Sequence, residues 1–181
     1  MVADKLIIAL VGPSGSGKST IENILKNKGF NKVISHTSRD IREGEKDGVD
    51  YHYVDPSFFQ DNENSFVEFV EFNDNFYGAH KNSFDSDINV IVVEPHGLRQ
   101  IEKYTKDNYI DILSVGLTVS KECQRERMIK RGDSLESIEK RLSDDNIAAQ
   151  MKNIDFDMTF NTEKISAEII AEVVYNVSKS M

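Results

Sequence analysis

Residues 12–19 run Gly12-Pro13-Ser14-Gly15-Ser16-Gly17-Lys18-Ser19, a complete G-x-x-x-x-G-K-[ST] spacing. Glycines at these positions let the backbone turn its N–H groups inward around an anion. A helix starting at the same point adds partial positive charge. Lys18 is placed to reach the β- and γ-phosphates of a nucleoside triphosphate, and Ser19 offers a hydroxyl to Mg²⁺. The segment Gly12–Thr20 is therefore expected to bind ATP, with Mg²⁺ as cofactor. The chemistry to be identified is the destination of the γ-phosphoryl group.

Phosphoryl transfer demands positioning and charge neutralisation more than covalent help from the protein. Two arginine sets could supply it. Arg39 and Arg42 stand together in one polar segment, and Arg131 and Arg141 flank Gly132-Asp133-Ser134. Guanidinium forks match phosphate oxygens in pairs. Cys123, the only cysteine, lies in an ordinary helical stretch, and His36, His52, His80 and His96 have no metal-ligand spacing. No protein nucleophile is needed if the acceptor is itself a phosphate.

These residues need a scaffold. Leu6–Val11 is an apolar run leading into the loop, and Ile21, Ile24 and Leu25 follow at helical spacing. Strands are expected at Leu6–Val11, Lys32–Ser35, Val90–Glu94, Ile110–Leu117 and Met158–Asn161. They alternate with helices at Lys18–Lys28, Gly97–Lys106, Lys121–Lys130, Leu135–Gln150 and Lys164–Ser178. The last helix carries Ile165, Ile169, Val173 and Val177 at fourfold spacing, which predicts the face packed on the core. Such alternation implies an α/β fold with a parallel sheet flanked by helices. Residues 36–80 break the pattern. A helix start at Asp55-Pro56 and strand-turn-strand spacing around Asn73-Asp74-Asn75 predict a small antiparallel insert. The expected division is a core of 1–35 and 81–181, with a lid at about 125–145, and an insert of 36–80.

On three segments the chain resembles the guanylate kinase family. The family's S-x-T-T-R-x-P-R-x-G-E-x-x-G-x-D-Y corresponds to Ser35-His36-Thr37-Ser38-Arg39-Asp40-Ile41-Arg42-Glu43-Gly44-Glu45-Lys46-Asp47-Gly48-Val49-Asp50-Tyr51. Its F-x-E-[WF]-x-x-[YF]-x-x-x-x-Y-G corresponds to Phe66 through Gly78, and its R-G…E-S-I-x-x-R-L to Arg131-Gly132, Glu136-Ser137-Ile138 and Arg141-Leu142. The resemblance implies a P-loop NTPase fold whose insert binds a nucleoside monophosphate, and transfer from ATP to GMP or dGMP. It implies that Arg39, Arg42, Tyr51, Tyr77 and Gly78 hold the acceptor's phosphate end, and that Ser35, Glu68 and Glu94 attend the base and sugar. It implies catalytic roles for Lys18, Arg39, Arg131 and Arg141, and a place beside the ATP base for Asn161.

Three departures lie near the base and sugar. Ala79 stands where the family has Thr or Ser, Val92 and Glu94 where it has two aspartates, and Ile41 where it has Pro. Another (deoxy)nucleoside monophosphate or a sugar phosphate is the alternative acceptor. A non-catalytic guanylate-kinase-like interaction module is the alternative of a different class. Glu68 with Arg39 and Arg42 argues against a baseless acceptor, and intact Lys18, Ser19 and lid arginines argue against the module.

The bulk composition agrees. A chain of 181 residues, 39% hydrophobic and 29% charged, suits one domain with a substantial core. Net charge −9 argues against nucleic acid or a membrane surface as a general partner. A single cysteine allows no internal disulfide, and no signal-peptide pattern or long apolar run is present, so a cytoplasmic protein is expected.

Overall fold

Every residue of Leu6–Val11 (β1) is buried. That is the condition of a strand covered by helices on both faces. In the computed structural model, which describes residues 5–42, 44–72, 74–143 and 146–181, β1 is the centre of a five-stranded sheet. The order is β2 (Asn31–Lys32), β7 (Ile88–Val93), β1, β8 (Asp111–Thr118), β9 (Met158–Asn161), all parallel. Glu43 and Asn73, part of the motif segments above, lie outside the described residues. The strand expected over Lys32–Ser35 is only Asn31–Lys32. Val33 still donates to the Val90 carbonyl (2.9 Å), but from there the chain leaves this sheet for the next.

Side chains of β1 alternate between two apolar layers. Leu6, Ile8 and Leu10 pack with Ile21 and Leu25 of α1 (Lys18–Asn27) and with Ile170, Ala171 and Val174 of α7 (Ala167–Ser178). Ile7, Ala9 and Val11 pack with Leu98 and Ile101 of α3 (Pro95–Asn108). Of the face expected of the last helix, Ile165 and Val177 do pack against this layer, but the middle of the face is corrected here. Ile169 is 58% exposed and Val173 37%, while Ile170, Ala171 and Val174 are buried. An i, i+4 series drifts by about 40° per step around a helix of 3.6 residues per turn, so it cannot follow one face. The helix begins at Ala167 because Ser166 caps it, its Oγ accepting from the Ile169 N–H (3.4 Å).

A second sheet has the order β4 (His52–Tyr53), β3 (His36–Thr37), β6 (Asn75–His80), β5 (Phe66–Phe72). The β3–β6 and β5–β6 pairings are antiparallel, but β3 and β4 are parallel, so the sheet expected as antiparallel is mixed. Helix α2 (Pro56–Asp61) starts where Asp55-Pro56 predicted, with Asp55 Oδ1 accepting from Ser57 N–H (2.9 Å). One irregularity in β5 positions the site. In a regular strand Phe66 and Phe69 would point to opposite faces. A bulge between Phe66 and Glu68 turns both rings toward Phe59 of α2 and sends Glu68, opposite Ala79, to the other face. The edge of β5 is tied to α3: the Gln100 side chain accepts from Phe69 N–H and donates to Phe69 O, both at 2.8 Å.

Beyond β8, α4 (Lys121–Arg131) and α5 (Leu135–Ser143) meet over a small buried cluster of Met128, Ile138 and Leu142. The single helix expected over 135–150 is described as α5 and α6 (Asn146–Met151); residues 144 and 145 lie outside the described residues. Among the described residues, no helix is long and apolar enough to cross a membrane.

Candidate active site

The strands β1, β7 and β8 end at a common edge, with Val11 opposite Val93 and Gly116. Crevices beyond the carboxyl ends of parallel strands are where such sheets bind ligands. The loop of residues 12–17 emerges there and feeds α1. Two of its glycines are required by geometry. A Cβ on Gly12 would lie 2.6 Å from Ser16 Oγ and 2.7 Å from the Leu117 carbonyl oxygen. Gly17 caps α1 in the left-handed region, φ 89°. Ser16 is buried, and its hydroxyl has no hydrogen-bond partner among the described residues. Lys18 Nζ folds back onto the carbonyls of Gly12 (2.6 Å) and Pro13 (2.9 Å). Burial holds this ammonium down at about 8, against the pull of Glu94 and with the push of Arg131 and Arg141. An anion in the loop would reverse that shift.

Arg131 and Arg141 approach the same loop. Gly132 ends α4 in the left-handed region, and the turn brings Asp133 back onto Arg131, whose Nε donates to Asp133 Oδ1 at 2.8 Å. Arg141 donates from Nη1 to Ser14 Oγ (3.2 Å) and from Nε to Ser137 Oγ (3.3 Å). Burial lowers its pKa, against Asp133 and together with Arg131 and Arg42. Lys18 thus feels the charge of Arg131 and Arg141, and Arg141 that of Arg131 and Arg42. That arrangement suits an anion with several charges.

Arg127 precedes the Arg131–Ser134 segment in the sequence but was assigned no part in the site. It sits one helical turn before Arg131 on α4, a spacing that could have flagged it. Its Nη1 donates to Gly15 O and Thr162 Oγ1, both at 2.9 Å, and its Nη2 to Thr162 O at 2.7 Å. It thereby ties the phosphate loop to the turn after β9. A cavity of about 160 Å³ opens there, lined by Ser16, Gly17, Thr20, Arg127, Thr162 and Ala167. Asn161 ends β9 beside it and uses its side chain to accept from the Glu163 N–H (2.9 Å).

The second sheet brings the other set together. Arg39 lies over the Tyr51 ring at 5.5 Å, and the Tyr51 and Tyr77 rings are 6.1 Å apart. Glu45, also missed, accepts from both Nη atoms of Arg39 (2.9 and 3.0 Å), from the Arg42 N–H (2.9 Å) and from the Tyr53 hydroxyl (2.8 Å). Against the upward pull of burial, these bonds bring its carboxyl down to about 2. Ser35, just before β3, accepts through its carbonyl from His52 N–H (2.9 Å), which continues the pairing of β3 with β4. Gly78 is required where Phe66 and the Glu68 carbonyl close in: a Cβ would meet them at 2.8 and 2.9 Å.

Glu68 is 6% exposed. Its Oε2 lies 3.1 Å from where a Cβ on Gly97 would stand, so Gly97 lets the carboxyl lie against the first turn of α3. Burial pushes its pKa up to about 8; the Ala79 backbone opposes this and Glu94 adds to it. Glu94, exposed at the end of β7, acts on both Lys18 and Glu68 and so stands between the two halves of the site. Among the described residues no cluster of three or more His, Cys, Asp or Glu side chains is placed to hold a metal ion.

Comparison with known proteins gives concordant results. A family model described as guanylate kinase matches residues 4–176. A guanylate kinase of Prochlorococcus marinus (strain MIT 9312) is 32% identical over 183 residues, spanning 94% of this chain and 97% of that protein. One from Campylobacter jejuni (strain RM1221) is 32% identical over 159 residues, 82% of this chain and 76% of that protein. The crystal structure of a guanylate kinase from Anaplasma phagocytophilum superposes with a TM-score of 0.73 over 98% of this chain and 86% of that one. At 23% identity this bears on the fold.

Proposed function

The chain belongs to the guanylate kinase family, and we propose that it transfers the γ-phosphoryl group of ATP to the phosphate of GMP or dGMP. The observation that carries the choice of acceptor is Glu68. A buried carboxyl opposite Ala79, beyond the Arg39–Tyr51–Tyr77 cluster, is where a base would lie if those residues held its phosphate. As a carboxylate it accepts from guanine N1–H and the 2-amino group, with Glu94 near enough to act on its charge. Ala79 contributes no hydroxyl, so the base is held by fewer contacts than the family's pattern supplies.

In this reading the phosphate loop and Lys18 hold the donor's phosphates, and Arg127, Thr162 and Asn161 border its base. Arg39, Arg42, Tyr51 and Tyr77 hold the acceptor's phosphate, an oxygen of which is the nucleophile. Arg131 and Arg141 meet the charge that develops on the transferring group. Ser19, exposed on the first turn of α1 beside Lys18, fits an oxygen donor for a hard cation. Mg²⁺ bound there with ATP would neutralise charge across the β- and γ-phosphates. Arg141 already reaches Ser14, so its role needs little movement of α5.

The test is ADP release measured with GMP, dGMP, AMP, CMP and a sugar phosphate as acceptors, with Lys18→Ala as the control. GMP and dGMP should be turned over and Lys18→Ala should be inactive while folded. Turnover of the sugar phosphate in preference to GMP, or an active Lys18→Ala, would overturn the reading.

A further inference from the structure

Glu45 shares Arg39 in a way that leaves a specific part of the guanidinium available. A guanidinium has five N–H donors in a fixed plane. Nη1 of Arg39 gives one to Glu45 Oε2 (2.9 Å) and one to the Asp40 carbonyl (2.6 Å), and Nη2 gives one to Glu45 Oε1 (3.0 Å). The two without a partner among the described residues, on Nε and Nη2, lie parallel along a single edge. That edge has the geometry of a paired contact to two phosphate oxygens. The rings of Tyr51 and Tyr53 lie 5.5 and 5.7 Å from the guanidinium carbon and hold its plane. The same carboxylate takes the Arg42 N–H and the Tyr53 hydroxyl, so the turn that presents Arg42 is fixed by the same group.

We propose that Glu45 is a positioning residue which, by occupying the Nη1–Nη2 edge of Arg39, leaves the Nε–Nη2 edge as the one offered to the acceptor's phosphate. This rests on the reading of Arg39 as a ligand of that phosphate. Glu45 itself touches no substrate. With Gln in its place one oxygen still accepts, but the amide group faces the second Nη as donor against donor, and the edge is no longer fixed.

The comparison is between GMP and guanosine, which lacks the phosphate, on Glu45→Gln. Affinity for GMP should fall about 10- to 100-fold, the scale of a charge-assisted hydrogen bond. The KM for ATP and kcat should stay within about threefold for a group that acts on acceptor binding alone, and guanosine affinity should not change. In an Arg39→Ala background Glu45→Gln should add nothing further. Equal weakening of GMP and guanosine would make Glu45 merely structural and overturn the proposal, as would an undiminished GMP affinity or a full effect without Arg39. If Glu45→Gln does not fold, Tyr53→Phe decides. Removing one of the four bonds should weaken GMP but not guanosine, and no such difference would be refuting. Failure of the wild-type protein to bind GMP at all would instead count against the proposed function.

Discussion

Replacing Glu68 by Gln probes a proton as well as a contact. The carboxyl is 6% exposed, and its pKa is pushed up to about 8 by burial, with Glu94 adding to the shift and the Ala79 backbone opposing it. To accept from both guanine N1–H and the 2-amino group, its two oxygens must be those of the anion. A group titrating at about 8 is about nine-tenths neutral at pH 7, so binding GMP there should expel about 0.9 proton. Affinity linked to that proton rises about tenfold from pH 6 to pH 7 and levels off above pH 8. The phosphate of GMP titrates in the same region. The quantity to follow is therefore the ratio of wild-type to Glu68→Gln affinity, in which the phosphate cancels. Folding stability carries the same mark. Between 4.5 and about 8 the folded carboxyl keeps a proton that the unfolded chain has lost. Wild-type stability thus falls as pH rises through that window, whereas the Gln variant lacks this loss. The full difference between neutral and ionised forms is on the order of 5 kcal/mol, at 1.36 kcal/mol per pKa unit. Calorimetric titration in buffers of different ionisation enthalpy, run on wild type and Glu68→Gln, reads the proton released by this carboxyl as the difference between the two. An affinity ratio flat from pH 6 to pH 8, with no difference in proton release at pH 7, would refute the reasoning.

Gly12→Ala should weaken ATP binding and lower the melting temperature together, because its Cβ would meet Ser16 Oγ at 2.6 Å and Leu117 O at 2.7 Å; overpacking of this kind costs roughly 1–3 kcal/mol. Thermal melts and ATP titration check it. Arg141→Ala should lower kcat on the order of 10³–10⁵-fold, the scale of an arginine that meets the transferring phosphoryl group, with a far smaller change in ATP affinity. Steady-state kinetics beside equilibrium ATP binding separates the two. Burial, with His52 and His80 beside it and Asp47 opposing, holds His36 down at about 4 from 6.5. Between those values the unfolded chain takes up a proton that the folded one refuses, so stability should fall as pH drops from 6.5 to about 4. His36→Phe, stacked on Phe58, should flatten that segment of the urea-midpoint profile.

The phosphate loop was legible because its information is local. Glycines, Lys18 and Ser19 at fixed spacing define a turn and a helix start, and the flanking elements fall within a residue of expectation: β1 at Leu6–Val11 and α1 at Lys18–Asn27. The arginine sets were proposed from residue type and order, Glu68 from the family resemblance, and the Asp55 cap from a dipeptide. What the spacing could not contain was decided by contacts between distant segments. The bulge that separates Phe66 from Glu68 depends on β6 and α2. The buried face of α7 depends on where α1 lies, and the short β2 on the chain leaving one sheet for another. Arg127 reaches Thr162 only because α4 and the end of β9 meet at the phosphate loop. Glu45 is six residues from Arg39, yet nothing in that interval says which edge of the guanidinium it takes. Residue types and order determined the chemistry available to this protein. Burial and packing, which set the dielectric around Glu68 and the orientation of Arg39, decided how each group presents its charge.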